Sequence, residues 1–271
     1  MSATEDAKKK AAATYNAAAD FYDHPTNTFW ERYGRRTIEK LGLKPGARVL
    51  DVCCGSGASA LPAAQAVGPE GSVVGVDLAE NLLNLARSKA SQLSLTNTEF
   101  QSGDLTALHF SDESFDAVVC VFGIFFVPDM EAAVRELKRV LRAGGWLAIT
   151  TWGPRFFEPV NSAFWDSVRN VKPELYKGFN PWDRICEVDA LRSLLEAAGL
   201  NTIRVVAEAD SQPVNAPEDW WPMVLGSGYR GTIQQLSPAE RERVKTENLD
   251  FIRRENIRSI EANVLYAQAS A

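Results

Sequence analysis

The sequence predicts an α/β protein built on one doubly wound, seven-stranded, mostly parallel sheet. Two observations carry this prediction: short apolar runs alternate along the chain with segments of helical hydrophobic spacing, and short Gly-rich turns separate them. No internal repeat and no low-complexity linker interrupts the alternation. At 271 residues, the chain has the length of one large domain, or of a domain with an insertion.

The order of elements follows from this periodicity and from the turn residues between the segments. Short apolar runs indicate buried strands, and longer segments with apolar residues at helical spacing indicate helices. The predicted strands cover residues 49–52, 72–76, 98–101, 115–122, 146–152, 201–208 and 259–269. The predicted helices cover residues 8–23, 31–42, a segment ending near 67, then 79–94, 128–143 and 188–198.

The strand over residues 115–122 and the helix after it illustrate the reasoning. The run FDAVVCVF is apolar on both faces, as a strand inside a parallel sheet requires. The next helix should end at Gly144-Gly145, and one face carries its apolar residues Met130, Ala133, Val134, Leu137, Val140 and Leu141. Two stretches depart from the alternation: residues 153–184 are irregular and rich in aromatics, and residues 210–257 form a partly helical insertion.

Composition argues against several classes of protein. With 29 basic and 35 acidic residues, the net charge is −6, whereas nucleic-acid binding needs a basic face. No apolar run approaches the ~20 residues of a membrane helix, and the first ten residues lack the apolar core of a secretory signal. The four cysteines form no CxxC pair, which predicts neither a metal site nor a disulfide framework and favours a cytoplasmic protein.

The stretch ARVLDVCCGSGASALPAA, residues 47–64, indicates a ligand site because it combines a strand, a tight Gly-rich turn and the start of a helix. Gly55 and Gly57 lack a Cβ, so the backbone can take positive φ and lie close to a ligand. The pattern also fits a dinucleotide fingerprint, which asks for an acid about 20 residues later, and Asp77 is such an acid. A nicotinamide dinucleotide and S-adenosylmethionine are therefore both open at this point.

Asp51 is the first residue that separates these two ligands. It ends the first strand, where a carboxylate can receive an ammonium group. S-adenosylmethionine carries an ammonium and a sulfonium but no phosphate. A dinucleotide offers no ammonium, and its pyrophosphate would be repelled by the carboxylate. Asp51 thus favours S-adenosylmethionine.

Several further motifs resemble those of class I S-adenosylmethionine-dependent methyltransferases. VLDVCCGSG is similar to the family's first motif, GVDLAENLLNLAR to its second-strand acidic motif, GDLTALHFSDESFDAVV to its adenine-loop and fourth-strand motifs, and LRAGGWLAITTWG to its fifth-strand motif. The chain most resembles the branch of this family that contains the ubiquinone and menaquinone C-methyltransferases (methyltransferase type 11) and many small-molecule O-methyltransferases. The resemblance covers residues 15–152 closely and 185–208 loosely, and Cys53 departs from it by standing where the family usually has Gly.

This resemblance implies a Rossmann-like methyltransferase domain that binds S-adenosylmethionine. It implies that Asp77 accepts from the ribose hydroxyls, that Asp104 accepts from the adenine amino group, and that Phe122 lies under the methyl-transfer centre. A helix cap and an ordinary loop acid are the alternative roles for Asp77 and Asp104. The predicted cofactor-binding residues are Tyr22, Asp51, Cys53, Gly55, Ser56, Gly57, Asp77, Leu78, Gly103, Asp104, Leu105 and Phe122.

The predicted organisation is a helical lid over residues 1–40 and a methyltransferase domain over 41–271 with cap segments 153–184 and 210–258. The run YNAAADFYD resembles the family's lid motif, which implies that Tyr15 or Tyr22 touches the methionine end or the acceptor. His24 lies in this lid and is the predicted catalytic base. Tyr15, Arg155, Glu158, Trp182 and Tyr229 are the predicted acceptor-contacting residues. A fixed helix packed on the domain is the alternative for the lid.

The function predicted from these features is methyl transfer to the oxygen or carbon of a small, apolar or aromatic acceptor, such as a phenol, a quinol or a polyketide-like molecule. The many aromatics of the cap segments favour such an acceptor, although they also suit simple packing. Two other functions use the same turn: an NAD(P)-dependent oxidoreductase, and an S-adenosylmethionine-binding module without catalysis.

Overall fold

The computed structural model describes residues 3–271, and nine strands lie in that part of the chain. They are β1 (Arg48–Val52), β2 (Ser72–Asp77), β3 (Thr98–Ser102), β4 (Phe115–Val121), β5 (Leu141–Trp152), β6 (Asn201–Glu208), β7 (Ser211–Pro213), β8 (Ser259–Glu261) and β9 (Val264–Ser270). Seven strands form one sheet in the order β3-β2-β1-β4-β5-β9-β6, with β9 antiparallel to both of its neighbours. The predicted seven-stranded, mostly parallel sheet is confirmed.

Helices cover both faces of this sheet. They are α1 (Ala3–Tyr22), α2 (Phe29–Leu41), α3 (Ala60–Val67), α4 (Glu80–Gln92), α5 (Met130–Arg139), α6 (Val160–Val171), α7 (Val188–Ala197), α8 (Trp220–Leu225), α9 (Arg230–Ile233) and α10 (Pro238–Arg254). Apolar residues of α3 and α4 pack with Val49 and Val119, while those of α5 and α7 pack with Leu50 and Val118 on the opposite face. Within residues 3–271, no helix combines the length and the apolarity needed to cross a membrane.

The strand order places a crevice at the ends of β1 and β4. From β1 the chain winds outward through β2 to β3, and then returns to the other side of β1 as β4. The two helical layers therefore diverge between β1 and β4, and ligands of doubly wound sheets bind beyond the carboxyl ends of strands at such a reversal.

One predicted boundary is wrong, because α5 ends at Arg139 and Leu141 already belongs to β5. The backbone of these residues is hydrogen-bonded to β4 instead of continuing the helix. The Val140 carbonyl accepts from the Phe115 N–H at 3.0 Å, and Leu141 is paired with Phe115. Leu141 fits the apolar helix face by spacing alone, but its backbone hydrogen bonds go to β4. Gly144, at φ 74°, lies inside the strand as a local irregularity and does not cap the helix.

The predicted last strand also divides, into β8 and β9. β8 pairs with β7 in a separate two-stranded sheet, and Ala262 and Asn263 form the connection between β8 and β9. The Asn263 carbonyl accepts from the Gly153 N–H at 2.7 Å, which ties this connection to the end of β5. The irregular segment 153–184 contains one regular helix, α6.

The helices α1 and α2 are fastened over the carboxyl edge of the sheet. A Cβ on Gly34 would lie 2.4 Å from the Ala58 carbonyl oxygen, so α2 approaches the start of α3 through a position that only glycine fits. Along α1, Asp20 pairs with Arg230 at 3.0 Å, and Asn16 Oδ1 accepts from the Asn81 N–H at 2.9 Å. These contacts hold α1 against both the cap and α4.

Candidate active site

A cavity lies at the carboxyl ends of β1 and β4, and α1 forms its outer wall. It is lined by Lys8, Ala11, Ala12, Tyr15, Tyr22, Trp30, Cys53, Gly55, Asp77, Leu78, Ala79, Leu82, Gly103, Asp104, Leu105, Val121, Phe122, Gly123, Phe126 and Val127. Nine of the twelve predicted cofactor-binding residues and one predicted acceptor residue, Tyr15, are among them. Side chains far apart in the sequence therefore line one cavity.

The Gly-rich turn brings bare backbone to this cavity. Gly55 has φ 53°, and a Cβ placed on it would lie 3.0 Å from the Tyr22 hydroxyl oxygen. Cys53 takes φ 59° although it is not glycine, a conformation that L residues rarely adopt. A Cβ on Gly123 would lie 2.4 Å from that of Cys53, so the bare backbone of Gly123 leaves room for the Cys53 side chain.

Asp77 stands at the end of β2 with both carboxylate oxygens hydrogen-bonded to backbone. Its Oδ2 accepts from the Gly55 N–H at 2.9 Å, and its Oδ1 accepts from the Ala79 N–H at 2.8 Å. Burial raises the pKa of Asp77 above its ordinary value, while the backbone hydrogen bonds act against that shift. The carboxylate thus fixes the turn after β1 and the start of α4, and it also faces the cavity.

Asp104 is held by a lysine of α1. Lys8 Nζ donates to Asp104 Oδ2 at 2.6 Å, and the N–H and hydroxyl of Thr106 donate to Oδ1 at 2.8 and 2.9 Å. Partial burial acts against ionisation, but the hydrogen bonds from Lys8 and Thr106 hold the pKa of Asp104 below its usual value. Lys8 therefore closes the cavity at the Asp104 end.

The opposite end of the cavity is apolar and aromatic. The Phe122 ring stacks on Trp152 with centroids 4.0 Å apart, and the Tyr22 ring stacks on Trp30 at 5.0 Å. Tyr15 meets Phe126 edge to face at 5.5 Å. Together with Val127, these rings form a surface suited to a flat apolar molecule.

Sequence reasoning missed Lys8, Trp30, Phe126 and Val127 as cavity residues. Lys8 belongs to the run KKK, which is typical of a solvated helix end. The missed signal is spacing: Lys8, Ala11, Ala12, Tyr15 and Tyr22 recur at helical intervals, and all of them line the cavity. Phe126 belongs to an apolar run that is typical of a buried segment. Nothing in the neighbouring sequence indicates whether its ring packs in the core or lines the cavity.

Asp51 does not reach the cavity, contrary to its predicted contact with the ligand ammonium. Strand alternation turns it to the same side as Val49, toward α3, and only 1% of its surface is exposed. Its Oδ2 accepts from the Ser59 hydroxyl at 2.7 Å, while Oδ1 has no hydrogen-bond partner within residues 3–271. Burial raises the pKa of Asp51 from 3.8 to about 7.

Folding stability should therefore fall as pH rises from about 4 to about 7. In this window the folded chain holds a proton on Asp51 that the unfolded chain releases, so the free energy of unfolding decreases by on the order of 1 kcal/mol per pH unit. Asp51→Asn removes this contribution. Urea unfolding of both proteins from pH 5 to 8 should show stability curves that differ in slope below pH 7; parallel curves would contradict the assignment.

Two other predicted cofactor residues, Ser56 and Gly57, lie beside the cavity without lining it. The Ser56 hydroxyl donates to Asp23 at 2.7 Å and accepts from Lys89 Nζ at 3.0 Å, so it links the α1–α2 connection to α4. Gly57 has φ 86°, and a Cβ there would meet the Leu61 side chain at 3.1 Å. Both residues therefore contribute to the conformation of the Gly-rich turn without lining the cavity.

His24, the predicted catalytic base, is not among the residues that line the cavity. Its Nδ1 accepts from the Thr26 backbone N–H at 3.3 Å and lies 2.9 Å from the Thr26 hydroxyl. Its ring stacks on Phe21 with centroids 5.9 Å apart. The turn after α1 uses His24 as a local hydrogen-bond acceptor, and the histidine does not line the cavity.

The other four predicted acceptor residues also have local partners outside the cavity. Arg155 pairs with Glu261 at 2.7 Å, and Glu158 accepts from the Ser162 hydroxyl at 2.8 Å at the start of α6. Trp182 packs edge to face on Phe125 at 5.4 Å. The Tyr229 hydroxyl donates to Asn161 Oδ1 at 2.7 Å inside the cap. None of these four lines the cavity.

The charges of the cavity suit S-adenosylmethionine better than a dinucleotide. Its lining holds two carboxylates, Asp77 and Asp104, and one cation, Lys8, which is already paired with Asp104. A sulfonium and an ammonium are attracted to such a site, whereas a pyrophosphate would face an unbalanced carboxylate. The bare backbone at Gly55 adds a place where a ligand can approach closely.

Comparison with known sequences points in the same direction. Residues 49–145 match a family model described as a methyltransferase domain. The demethylmenaquinone methyltransferase of Listeria welshimeri is 29% identical over 221 residues, which is 76% of this chain and 94% of that protein. The demethylmenaquinone methyltransferase of Staphylococcus aureus is 40% identical over 111 residues, or 41% of this chain and 45% of that one.

Among solved structures, an S-adenosylmethionine-dependent methyltransferase from Aquifex aeolicus is similar to the chain. It superimposes with a TM-score of 0.56 at 25% identity, over 70% of this chain and 91% of that one. The predicted cofactor class and enzyme class are thereby confirmed. The chain is an S-adenosylmethionine-dependent methyltransferase that resembles class I enzymes, among them the menaquinone methyltransferases.

Proposed function

We propose that this enzyme transfers the methyl group to the oxygen or carbon of a small aromatic acceptor of the quinol type. The observation that carries the proposal is the apolar end of the cavity, where Trp30, Phe122, Phe126 and Val127 face the space beside Tyr15 and Tyr22. Flat rings bury well against such surfaces. The names of the demethylmenaquinone methyltransferase relatives support the same acceptor class.

The proposed cofactor contacts follow from the lining of the cavity. Asp77 is placed to accept from the ribose hydroxyls through its free lone pairs, and Asp104 and Leu105 flank the space proposed for adenine. The bare backbone of Gly55 faces the space proposed for the methionine end, and Tyr22 and Cys53 enclose it. When bound, the cofactor supplies an electrophilic methyl group. The chain positions the two partners and excludes water around them.

We further propose that residues 1–40 act as a lid and that 153–184 and 210–258 form a cap on the methyltransferase domain over 41–271. The cavity wall supplied by α1 supports this division, because Lys8, Tyr15 and Tyr22 all come from that helix. The cap holds α1 in place through the pair of Arg230 with Asp20. It contributes none of the residues that line the cavity of the described chain.

The acceptor class is tested by incubating the purified enzyme with radiolabelled methyl donor and a panel of quinols, phenols, amines and aliphatic alcohols. We expect label in quinols and phenols and none in the aliphatic alcohols. Label confined to the amines would contradict the proposal, and so would no label in any acceptor.

Removing Lys8 should tighten cofactor binding. Lys8 occupies Asp104 Oδ2, the oxygen that the adenine amino group would otherwise share, while Thr106 takes Oδ1. In Lys8→Met the Oδ2 atom of Asp104 is free to accept from the adenine amino group. The Kd for S-adenosylhomocysteine should therefore fall by up to about tenfold. Calorimetric titration measures it, with Lys10→Met, an exposed neighbour outside the cavity, as the matched control. Weaker binding in Lys8→Met alone would show that Lys8 holds the cofactor in place.

A further inference from the structure

The titratable side chains of the cavity decide what kind of acceptor it can methylate. There are six in the described lining: Lys8, Tyr15, Tyr22, Cys53, Asp77 and Asp104. A methyltransferase that deprotonates its acceptor needs one of these groups free and able to take up a proton near neutral pH.

Both carboxylates are already engaged. Asp77 accepts one backbone N–H on each oxygen, and under the proposed function its remaining lone pairs serve the ribose. Asp104 is bonded to Lys8 on one oxygen and to Thr106 on the other. The hydrogen bond to Asp104 in turn raises the pKa of Lys8, so this lysine stays charged and cannot take a proton.

The two phenols and the thiol are neutral at physiological pH. Burial raises the pKa of Tyr15 above its ordinary value and that of Tyr22 well above it. A hydrogen bond with the Cys120 thiol, together with burial, raises the pKa of Cys53. Neither phenol has a hydrogen-bond partner within residues 3–271, so both hydroxyls are available to donate to an oxygen in the cavity. None of the three is a proton acceptor at neutral pH.

Candidate bases elsewhere in the described chain do not reach this space. His24 is bonded within its own turn, and His109 is exposed on the surface. Glu158 lies beside α6, where it accepts from Asn161 and Ser162. None of these side chains lines the cavity.

We infer that this enzyme supplies no general base and methylates only the ionised form of its acceptor, so that acidic hydroxyarenes and enols are its best substrates at neutral pH. The inference rests on the proposed function and narrows its acceptor class. The acceptor loses its proton to solvent before or during binding. The oxygen lone pair, or in carbon methylation the electron pair of the enolate C=C bond, then forms the new bond to the methyl carbon, while the S–CH₃ bond breaks and its electron pair returns to sulfur. After methylation at a ring carbon, that carbon loses its proton to solvent and the acceptor oxygen takes one up. The products are the methylated acceptor and neutral S-adenosylhomocysteine.

The pH dependence of catalysis tests this inference. A series of hydroxynaphthalenes and phenols of similar shape is chosen so that their own pKa values range from about 6 to about 10, the ordinary phenol value. For each compound, kcat/KM is measured from pH 6 to 10 with the wild-type enzyme. We expect the midpoint of the rising limb to follow the pKa of each acceptor one for one. In a second measurement, the absorbance spectrum of each acceptor bound to the enzyme with S-adenosylhomocysteine reports its ionisation directly.

The outcomes separate the inference from the proposed function. A rising limb at one common pH for all acceptors would reveal an enzyme base and overturn the inference alone. Equal rates at pH 7 for the strongest and the weakest acid would overturn it as well. No methyl transfer to any member at any pH would overturn the proposed function together with the inference. In Tyr15→Phe and Tyr22→Phe, the midpoint of the rising limb for each acceptor should be the same as in the wild-type enzyme, because neither tyrosine side chain removes the proton of the acceptor.

Discussion

Replacing Asp77 by alanine should weaken the binding of S-adenosylhomocysteine by ~1–3 kcal/mol, because charge-assisted hydrogen bonds to the ribose are lost. The structure adds a second reason for a large effect. The Asp77 carboxylate also accepts from the N–H groups of Gly55 and Ala79, so its removal loosens the turn beneath the ligand. Calorimetric titration of the purified variant measures the change.

The design of this experiment separates ligand contacts from folding. Glu99→Ala removes an exposed carboxylate from the neighbouring strand β3 and should leave affinity unchanged. Asp77→Asn retains one oxygen acceptor and should fall between alanine and wild-type. Thermal unfolding without ligand shows whether each variant is folded before it is titrated. Wild-type affinity in a folded Asp77→Ala protein would remove Asp77 from the proposed ribose contact.

Asp77, Asp104 and Phe122 could be found from the sequence because their positions depend on local structure. Each lies at the end of a strand or just after one, at the carboxyl edge of the sheet, and parallel strands bring such ends together. Asp51 shows the limit of that reasoning. It also lies near the end of a strand, but residues of a strand alternate between faces, and the alternation turns it toward α3.

Other residues were predicted less well because their positions depend on packing between segments that are distant in the sequence. Arg155 and Glu158 lie in the predicted cap, yet their partners are Glu261 and the start of α6. No spacing rule indicates which of several polar partners a cap side chain will choose. Lys8 reaches Asp104 only because α1 crosses the carboxyl edge of the sheet. The direction of that crossing is set by contacts such as the pair of Asp20 with Arg230, about 200 positions away in the sequence.

Trp152 connects the cavity to the core. It is 2% exposed at the end of β5, and its ring stacks on Phe122, which lines the cavity. The same indole meets Phe29 and Tyr33 of α2 at centroid distances of 6.1 and 5.8 Å, and Phe156 of the cap segment at 4.6 Å. One side chain therefore joins the sheet, the helix α2, the cap and the proposed methyl-transfer centre.

Trp152→Ala should lower the free energy of unfolding by ~3–5 kcal/mol, the cost of deleting a large buried ring and leaving a cavity. The matched control is Trp146→Ala in the same strand, because Trp146 is 41% exposed and its loss should change stability by roughly 0.5 kcal/mol or less. Chemical unfolding of both variants measures the difference. Since Phe122 loses its stacking partner, any folded Trp152→Ala protein should also bind S-adenosylhomocysteine more weakly than wild-type. Equal destabilisation by the two substitutions would contradict the central position assigned to Trp152.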